Sequence, residues 1–333
     1  MTTPPARAGS RRALLDGLIG VGLFSASLPA TRLALTDLDP LFLTAARAAL
    51  SGLAAALALA LVSRGRPARA DLAALALTAL GVVVGFPLLT ALALRHVTSA
   101  HAMAFIGLLP LATALFGTLR AGERPAPAFW VLSVLGSAVT VGFAAAGAGP
   151  GSLAGGGLML AAVAAGGLGY AEGGRLARRL GGWQVIAWSA ALSLPVSLPL
   201  ALLWSPAEPG AVGAPAWAGL AYLAGASSLV GFVFWYRALA SGGIAAVSQL
   251  QLLQPFLGML IAGLTLGESI EPRMLLAAGI VALCVAGARK LSHGRPPAAG
   301  HARTRLGLFR RHGPIATGRP NLAATAPETL TQS

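Results

Sequence analysis

The feature that most constrains this chain is a recurrence: long runs without charge, one after another, along almost its whole length. Ser152 to Gly169 holds no charged residue, and "WQVIAWSAALSLPVSLPLALLW" at 183–204 is equally apolar. About 20 residues at 1.5 Å rise cross the hydrocarbon core of a bilayer, so a run of roughly 18 or more reads as a span. Composition agrees. Only 10% of the 333 residues are charged and 56% are hydrophobic, with a mean hydropathy of +0.75. A soluble domain carries about 25% charge. The chain reads as an all-α integral membrane protein.

Charges, prolines and glycines punctuate the runs and place spans near 14–33, 41–63, 72–94, 99–119, 128–147, 153–173, 183–204, 215–237, 244–266 and 273–290. Short loops make neighbours antiparallel. Arg7, Arg11 and Arg12 ahead of an apolar segment have the look of a leader, but that segment belongs to the repeat described below and reads as a retained first span. Beyond Lys290 the chain turns rich in Pro, Gly, Ala and Arg, the composition of a disordered tail.

Positive charge on cytoplasmic loops tests the count. With the N-terminus inside, Arg64, Arg66, Arg69, Arg120, Arg124, Arg175, Arg178, Arg179 and Arg237 join the basic termini on the cytoplasmic side. The other side receives only Arg32, Arg95 and Arg273, together with Asp37, Asp39, Glu208, Glu268 and Glu271. Ten spans with both termini cytoplasmic fit. The net charge of +14 therefore points to anionic headgroups of the cell (inner) membrane. No aromatic-interleaved basic stripe speaks for nucleic acid.

The chain also repeats itself. "RLALTDLDP" at 32–40 is echoed by "RLARRLGGW" at 175–183, and "GF" at 85–86 by "GF" at 231–232. Pro110 matches Pro255, "GE" at 122–123 matches 267–268, and Pro127 matches Pro272, all at an offset of 145. Each half then holds five spans, and five is odd, so the second half must run the opposite way through the bilayer. The charges follow: Arg32 precedes Asp37 and Asp39, whereas its counterpart Arg175 precedes Arg178 and Arg179. The expected organisation is a cytoplasmic N-terminus at 1–12, five-helix repeats at 13–147 and 152–290, and a basic cytoplasmic tail at 291–333. Inverted repeats suit a carrier whose two halves exchange conformations about a midplane site.

Three stretches carry a family likeness: "ATRLALTDLDPLFLTAARAAL" at 30–50, "GLLPLATALFGTLRAGERPAP" at 107–127 and "LQLLQPFLGMLIAGLTLGESIEP" at 250–272. The last two share a proline followed some thirteen residues later by "GE". On these motifs the chain resembles the drug/metabolite transporter superfamily, with two EamA-type domains over roughly 11–290. The resemblance implies ten helices, a central cavity lined mostly by spans 1–4 and 6–9, and transport, often export, of amino acids, other metabolites or drugs. A non-transporting membrane scaffold or assembly protein on the same bundle is the alternative.

Ionisable and amide side chains at depth are the candidate site. Arg47, seven residues into span two, can offer its planar fork to a substrate carboxylate or bond neighbouring carbonyls. Gln249, Gln251 and Gln254 precede or adjoin Pro255 and can line a cavity or join helices. Glu172 has two open readings, an ion pair with Arg175 three residues on or a proton or cation site at the cavity mouth. His101 can couple protons or hydrogen-bond at the interface. Tyr170 can stack on substrate, although with Trp235 and Tyr236 it better suits an interfacial aromatic belt. Asp16 reads as facing inner headgroups. Pro29, Pro87, Pro110 and Pro255 are candidate kinks.

No His-Glu-x-x-His, Ser/His pair, span aspartate pair or Walker loop occurs, so neither an enzyme nor an ATP-driven pump is expected. The single cysteine, Cys284, excludes an internal disulfide and a cysteine metal site. No cofactor or metal is implied. A small-molecule substrate is the expected partner, and a homodimer remains open.

Overall fold

The computed structural model describes residues 6–62, 66–146, 152–266 and 272–292. The basic tail from 293 on and the "GE" at 267–268 lie outside them. All regular structure among the described residues is helical, in ten segments and a short 3₁₀ turn, Pro209–Ala211, between the seventh and eighth. Segment 1 is Ala6–Ser25 continued by Ser27–Ala34, and segment 2 is Pro40–Val62. Segment 3 joins Arg69–Thr78, Ala79–Gly85 and Phe86–Ala93; segment 4 joins Ser99–Ile106 and Leu109–Ala121; segment 5 is Pro127–Ala146. Segment 6 is Leu153–Leu180 and segment 7 is Gly182–Leu203. Segment 8 joins Ala214–Tyr222, Leu223–Gly231 and Phe232–Gly242, and segment 9 joins Ile244–Ser248, Gln249–Leu253 and Gln254–Leu266. Segment 10 is Pro272–Leu291.

Seven stretches among the described residues, in segments 1–4 and 6–8, are long and apolar enough to cross a membrane. Pro127–Phe143 in segment 5 is a shorter apolar helix.

Local geometry follows the sequence. Segment 1 breaks at Ala26, three residues ahead of Pro29. A π-helical stretch, Ala79–Gly85, comes just before Pro87. A turn at 107–108 precedes Pro110, and the tight 3₁₀ stretch Gln249–Leu253 precedes Pro255. Proline lacks an N–H and its ring crowds the carbonyl four residues back, so the turn upstream must widen, tighten or break. The second π stretch, Leu223–Gly231, has no proline; it begins 144 positions after the first (223 against 79). Gly181 (φ 90°) and Gly243 (φ 86°) turn segment 6 into 7 and segment 8 into 9 with no intervening loop, a conformation that side-chain-bearing residues rarely adopt.

Segment 7 packs along segment 2, segment 8 on segment 1, segment 10 on segment 5, and segment 6 against both 3 and 4. Segments 3 and 6 meet backbone to backbone: a Cβ on Gly81 would lie 2.7 Å from the Gly169 Cα and from the Ala165 carbonyl oxygen. The largest core cluster fills the middle with Phe24, Val82, Tyr170, Phe232, Trp235 and Tyr236 among its members. Trp235 and Tyr236 are fully buried and Tyr170 nearly so. The aromatic-belt expectation for these three fails, because a belt faces headgroups and these rings are buried in the core, Tyr170 against Trp235 and Tyr236 against Phe232.

Candidate functional site: a cationic cavity above an ion-pair girdle

Segment 1 brings Phe24, Ser27, Leu28 and Thr31 toward a cavity between the segments. Segment 2 contributes Arg47, segment 3 Phe86, Pro87 and Thr90, and segment 4 Leu109. Segment 6 adds Tyr170, segment 8 Ser227 and Phe232, and segment 9 Gln254. The cavity measures about 50 Å³, room for a few waters at roughly 10–15 Å³ each. A metabolite must widen it to bind.

Arg47 is the only charged residue in the described lining. It is 8% exposed. The Ser228 hydroxyl accepts from its Nη2 at 2.7 Å and from its Nε at 3.3 Å. None of the ion pairs among the described residues includes it. Ser228 reaches it from the π stretch of segment 8, whose widened turn sends the neighbouring Ser227 hydroxyl to Ser27 at 2.8 Å. Such π turns recur at functional sites. Thr90 Oγ1 is buried without a hydrogen-bond partner. Gln254 Nε2 donates to the Phe24 carbonyl at 3.3 Å.

Aromatic rings form the wall between this cavity and the basic end. Phe24 stacks on Tyr170 with ring centroids 6.4 Å apart and contacts Phe232 at 5.0 Å and Trp235 at 6.1 Å. Behind them, Tyr236 donates to the Gly169 carbonyl at 3.2 Å.

At the basic end Asp16, Asp71, Glu123 and Glu172 are each paired across the two halves of the chain. Both Glu172 oxygens are engaged, Oε2 by Arg120 Nε at 3.1 Å and Oε1 by Arg175, and its side chain is wholly buried. Arg178 meets Glu123, Arg179 meets Asp71, and Arg237 approaches Asp16 at 3.4 Å. Of these contacts only Glu172–Arg175 lies within one half. Asp16 thus turns inward to Arg237 rather than to headgroups. Glu123 does more: its oxygens accept the backbone N–H groups of Ile244 (2.8 Å) and Ala245 (2.7 Å) at the start of segment 9. A carboxylate there satisfies orphan donors and complements the helix dipole.

The opposite end has contacts of its own. Arg95 and Asp39 stand 3.9 Å apart with both side chains more than half exposed, and Asp37 accepts the Gly213 N–H at 2.8 Å. Segments 1 and 3 enter from the basic end, and their late residues line the cavity. The chamber therefore lies toward the opposite end, and the girdle closes the basic end.

Of the residues singled out in the sequence, Arg47, Tyr170, Gln254 and Pro87 meet at the cavity. Gln249 and Gln251 are fully buried outside the lining, with Gln249 Oε1 and both Gln251 amide atoms lacking partners. Gln251 lies beside the Tyr170 hydroxyl without hydrogen-bond geometry. Glu172 belongs to the girdle rather than the lining. The His101 side chain lies outside the described residues. Sequence reasoning passed over Asp71 and the hydroxyls Ser27, Thr31, Thr90, Ser227 and Ser228. A signal existed for two of them: by the adjacent "GF" match, at an offset of 146, Ser227 and Ser228 stand where the first half has Gly81 and Val82.

A family model described as the EamA-like transporter family matches twice, at residues 12–144 and 153–288. "Uncharacterized transporter YdeK" of Bacillus subtilis (strain 168) is 55% identical over 278 residues, covering 84% of this chain and 97% of the relative. A solved crystal structure of a protein 21% identical shares the fold, with a TM-score of 0.68 over 83% of this chain and 97% of that one.

Proposed function

The chain belongs to the EamA-like transporter family, and from that premise we propose that it is a secondary carrier working by alternating access around the Arg47 cavity. It is a multi-pass membrane protein with a small-molecule substrate. Its ten helical segments act as two inverted five-helix repeats, with both termini and the ion-pair girdle at the cytoplasmic face of the cell membrane. Inverted halves are favoured by the packing itself: segments 2 and 7, and 5 and 10, pair with their own counterparts. The contacts 1 with 8 and 3 with 6 exchange under the same pairing.

The observation that carries the reading is the asymmetry between the two ends. Among the described residues, ion pairs between the halves gather at the basic end, while a cavity with an unneutralised guanidinium lies beyond them, toward the other end. That is a carrier closed to the cytoplasm. Breaking the girdle and closing the opposite end would present the same cavity inward, which suits export of amino acids, other metabolites or drugs. Glu172 acts as a latch, since two guanidinium groups already occupy its oxygens. The basic end rests on anionic lipid.

Reconstitution in liposomes tests the reading. Radiolabelled amino acids, organic acids and amphipathic cations are offered to vesicles with and without protein. The proposal expects saturable, protein-dependent uptake of at least one class. Verified folding with no flux of any compound would favour the scaffold alternative.

A further inference from the structure

Resting on that carrier reading, the lining narrows the substrate. A guanidinium has five N–H donors and a planar fork matched to a carboxylate. In Arg47 the one protein acceptor is the Ser228 hydroxyl, which serves Nε and Nη2 and leaves the rest of the fork without a partner among the described residues. A buried cation without a counter-charge is costly, and an anion entering beside it relieves that cost. Thr90 Oγ1, buried and unpartnered in the same lining, supplies a further hydroxyl to the anion. The other polar groups of the lining, Ser27, Thr31, Tyr170, Ser227 and Gln254, are neutral, and apolar side chains such as Phe24, Leu28, Phe86 and Phe232 make up most of the rest. No carboxylate lies in the described lining to meet an ammonium group; Glu172 is engaged twice elsewhere.

We infer that the Arg47 cavity selects monocarboxylates with an apolar or aromatic body and no ammonium group, over zwitterionic amino acids and amphipathic amines. The carboxylate sits on the open side of the Arg47 fork with the Thr90 hydroxyl beside it. The ring or alkyl body displaces the contacts among Phe24, Phe86 and Phe232. An α-ammonium group would find only neutral hydroxyl and amide acceptors in the described lining and no counter-charge.

The test compares three probes with one ring: phenylpyruvate, phenylalanine and phenethylamine. Binding to the full-length protein in detergent is followed by the shift in melting temperature and by direct titration. Phenylpyruvate should bind about ten-fold or more tighter than phenylalanine, because the second charge of the zwitterion goes unpaired. Phenethylamine should not compete. Arg47→Gln should remove the preference, and Arg47→Lys should keep part of it. Should Arg47→Gln fail to fold, Thr90→Val carries the test, with phenylpyruvate weakened several-fold and the melting temperature of the empty protein held or raised. Equal binding of phenylalanine and phenylpyruvate, or a preference for the amine, would overturn the inference and leave the carrier standing. No binding of phenylpyruvate overturns it as well. The carrier reading fails separately, if vesicles move no compound of any charge class.

Discussion

At the scale of single residues the account separates two kinds of buried charge. Glu172 is satisfied on both oxygens, whereas Arg47 meets only a hydroxyl. Replacing Glu172 with Gln keeps the shape and removes the charge, so the girdle weakens while the cavity is untouched. Since Arg120 and Arg175 are 46% and 41% exposed, water takes over part of their solvation. The cost should be about 1–2 kcal/mol, read as a lower melting temperature with transport retained. Complete loss of transport in a folded Glu172→Gln protein would instead favour the proton or cation site. Glu123→Gln should cost a similar amount, about 1–2 kcal/mol, because segment 9 loses a charged acceptor at its first turn; hydrogen exchange at Ile244 and Ala245 would report it. Arg47 was legible because an arginine seven residues inside an apolar run has no cheap explanation. Thr90, in the same lining, was not, because a lone hydroxyl in a span most often bonds its own helix, as Thr113 does to the Leu109 carbonyl at 2.8 Å; Ser228 was legible only by comparing the halves.

At the scale of elements, the departures from α geometry do the positioning. The π stretch of segment 8 points Ser227 and Ser228 at two different partners, and that of segment 3 comes just before Phe86 and Pro87 at the cavity. Segments 3 and 6 cross where Gly81 touches Gly169. Gly81→Val should destabilise by about 1–3 kcal/mol through overpacking and displace Val82 and Tyr170, which share the lining, so ligand affinity should fall along with the melting temperature. Affinity unchanged despite a lowered melting temperature would uncouple that crossing from the site. Span positions were legible from charge-free runs and prolines. The π and 3₁₀ stretches were only half so, since Pro87 and Pro255 mark two of them but Leu223–Gly231 carries no proline. Its position was available only through the repeat offset. Inward-facing Trp235 and Tyr236 escaped the sequence because belt and core share the same residue types, and only packing tells them apart.

At the scale of the whole molecule, the proposed inversion of the halves has a direct consequence. The connection between segments 2 and 3 and its counterpart between 7 and 8 belong on opposite sides of the membrane. In a Cys284→Ser background, Ser205→Cys should react with a membrane-impermeant maleimide in intact cells, and Arg66→Cys only after permeabilisation. Labelling of both from one side would contradict the inverted arrangement. Such an arrangement has a purpose only if the cavity is exposed alternately, and a carrier differs in this from a channel or a scaffold. Exchange across the membrane is therefore the most direct test. Proteoliposomes preloaded with unlabelled substrate are compared with empty ones for the initial rate of labelled uptake. A carrier that returns faster loaded than empty should take up label several-fold faster from preloaded vesicles, and Arg47→Gln should abolish both rates. Uptake indifferent to preloading, or undiminished in a folded Arg47→Gln protein, would contradict the account.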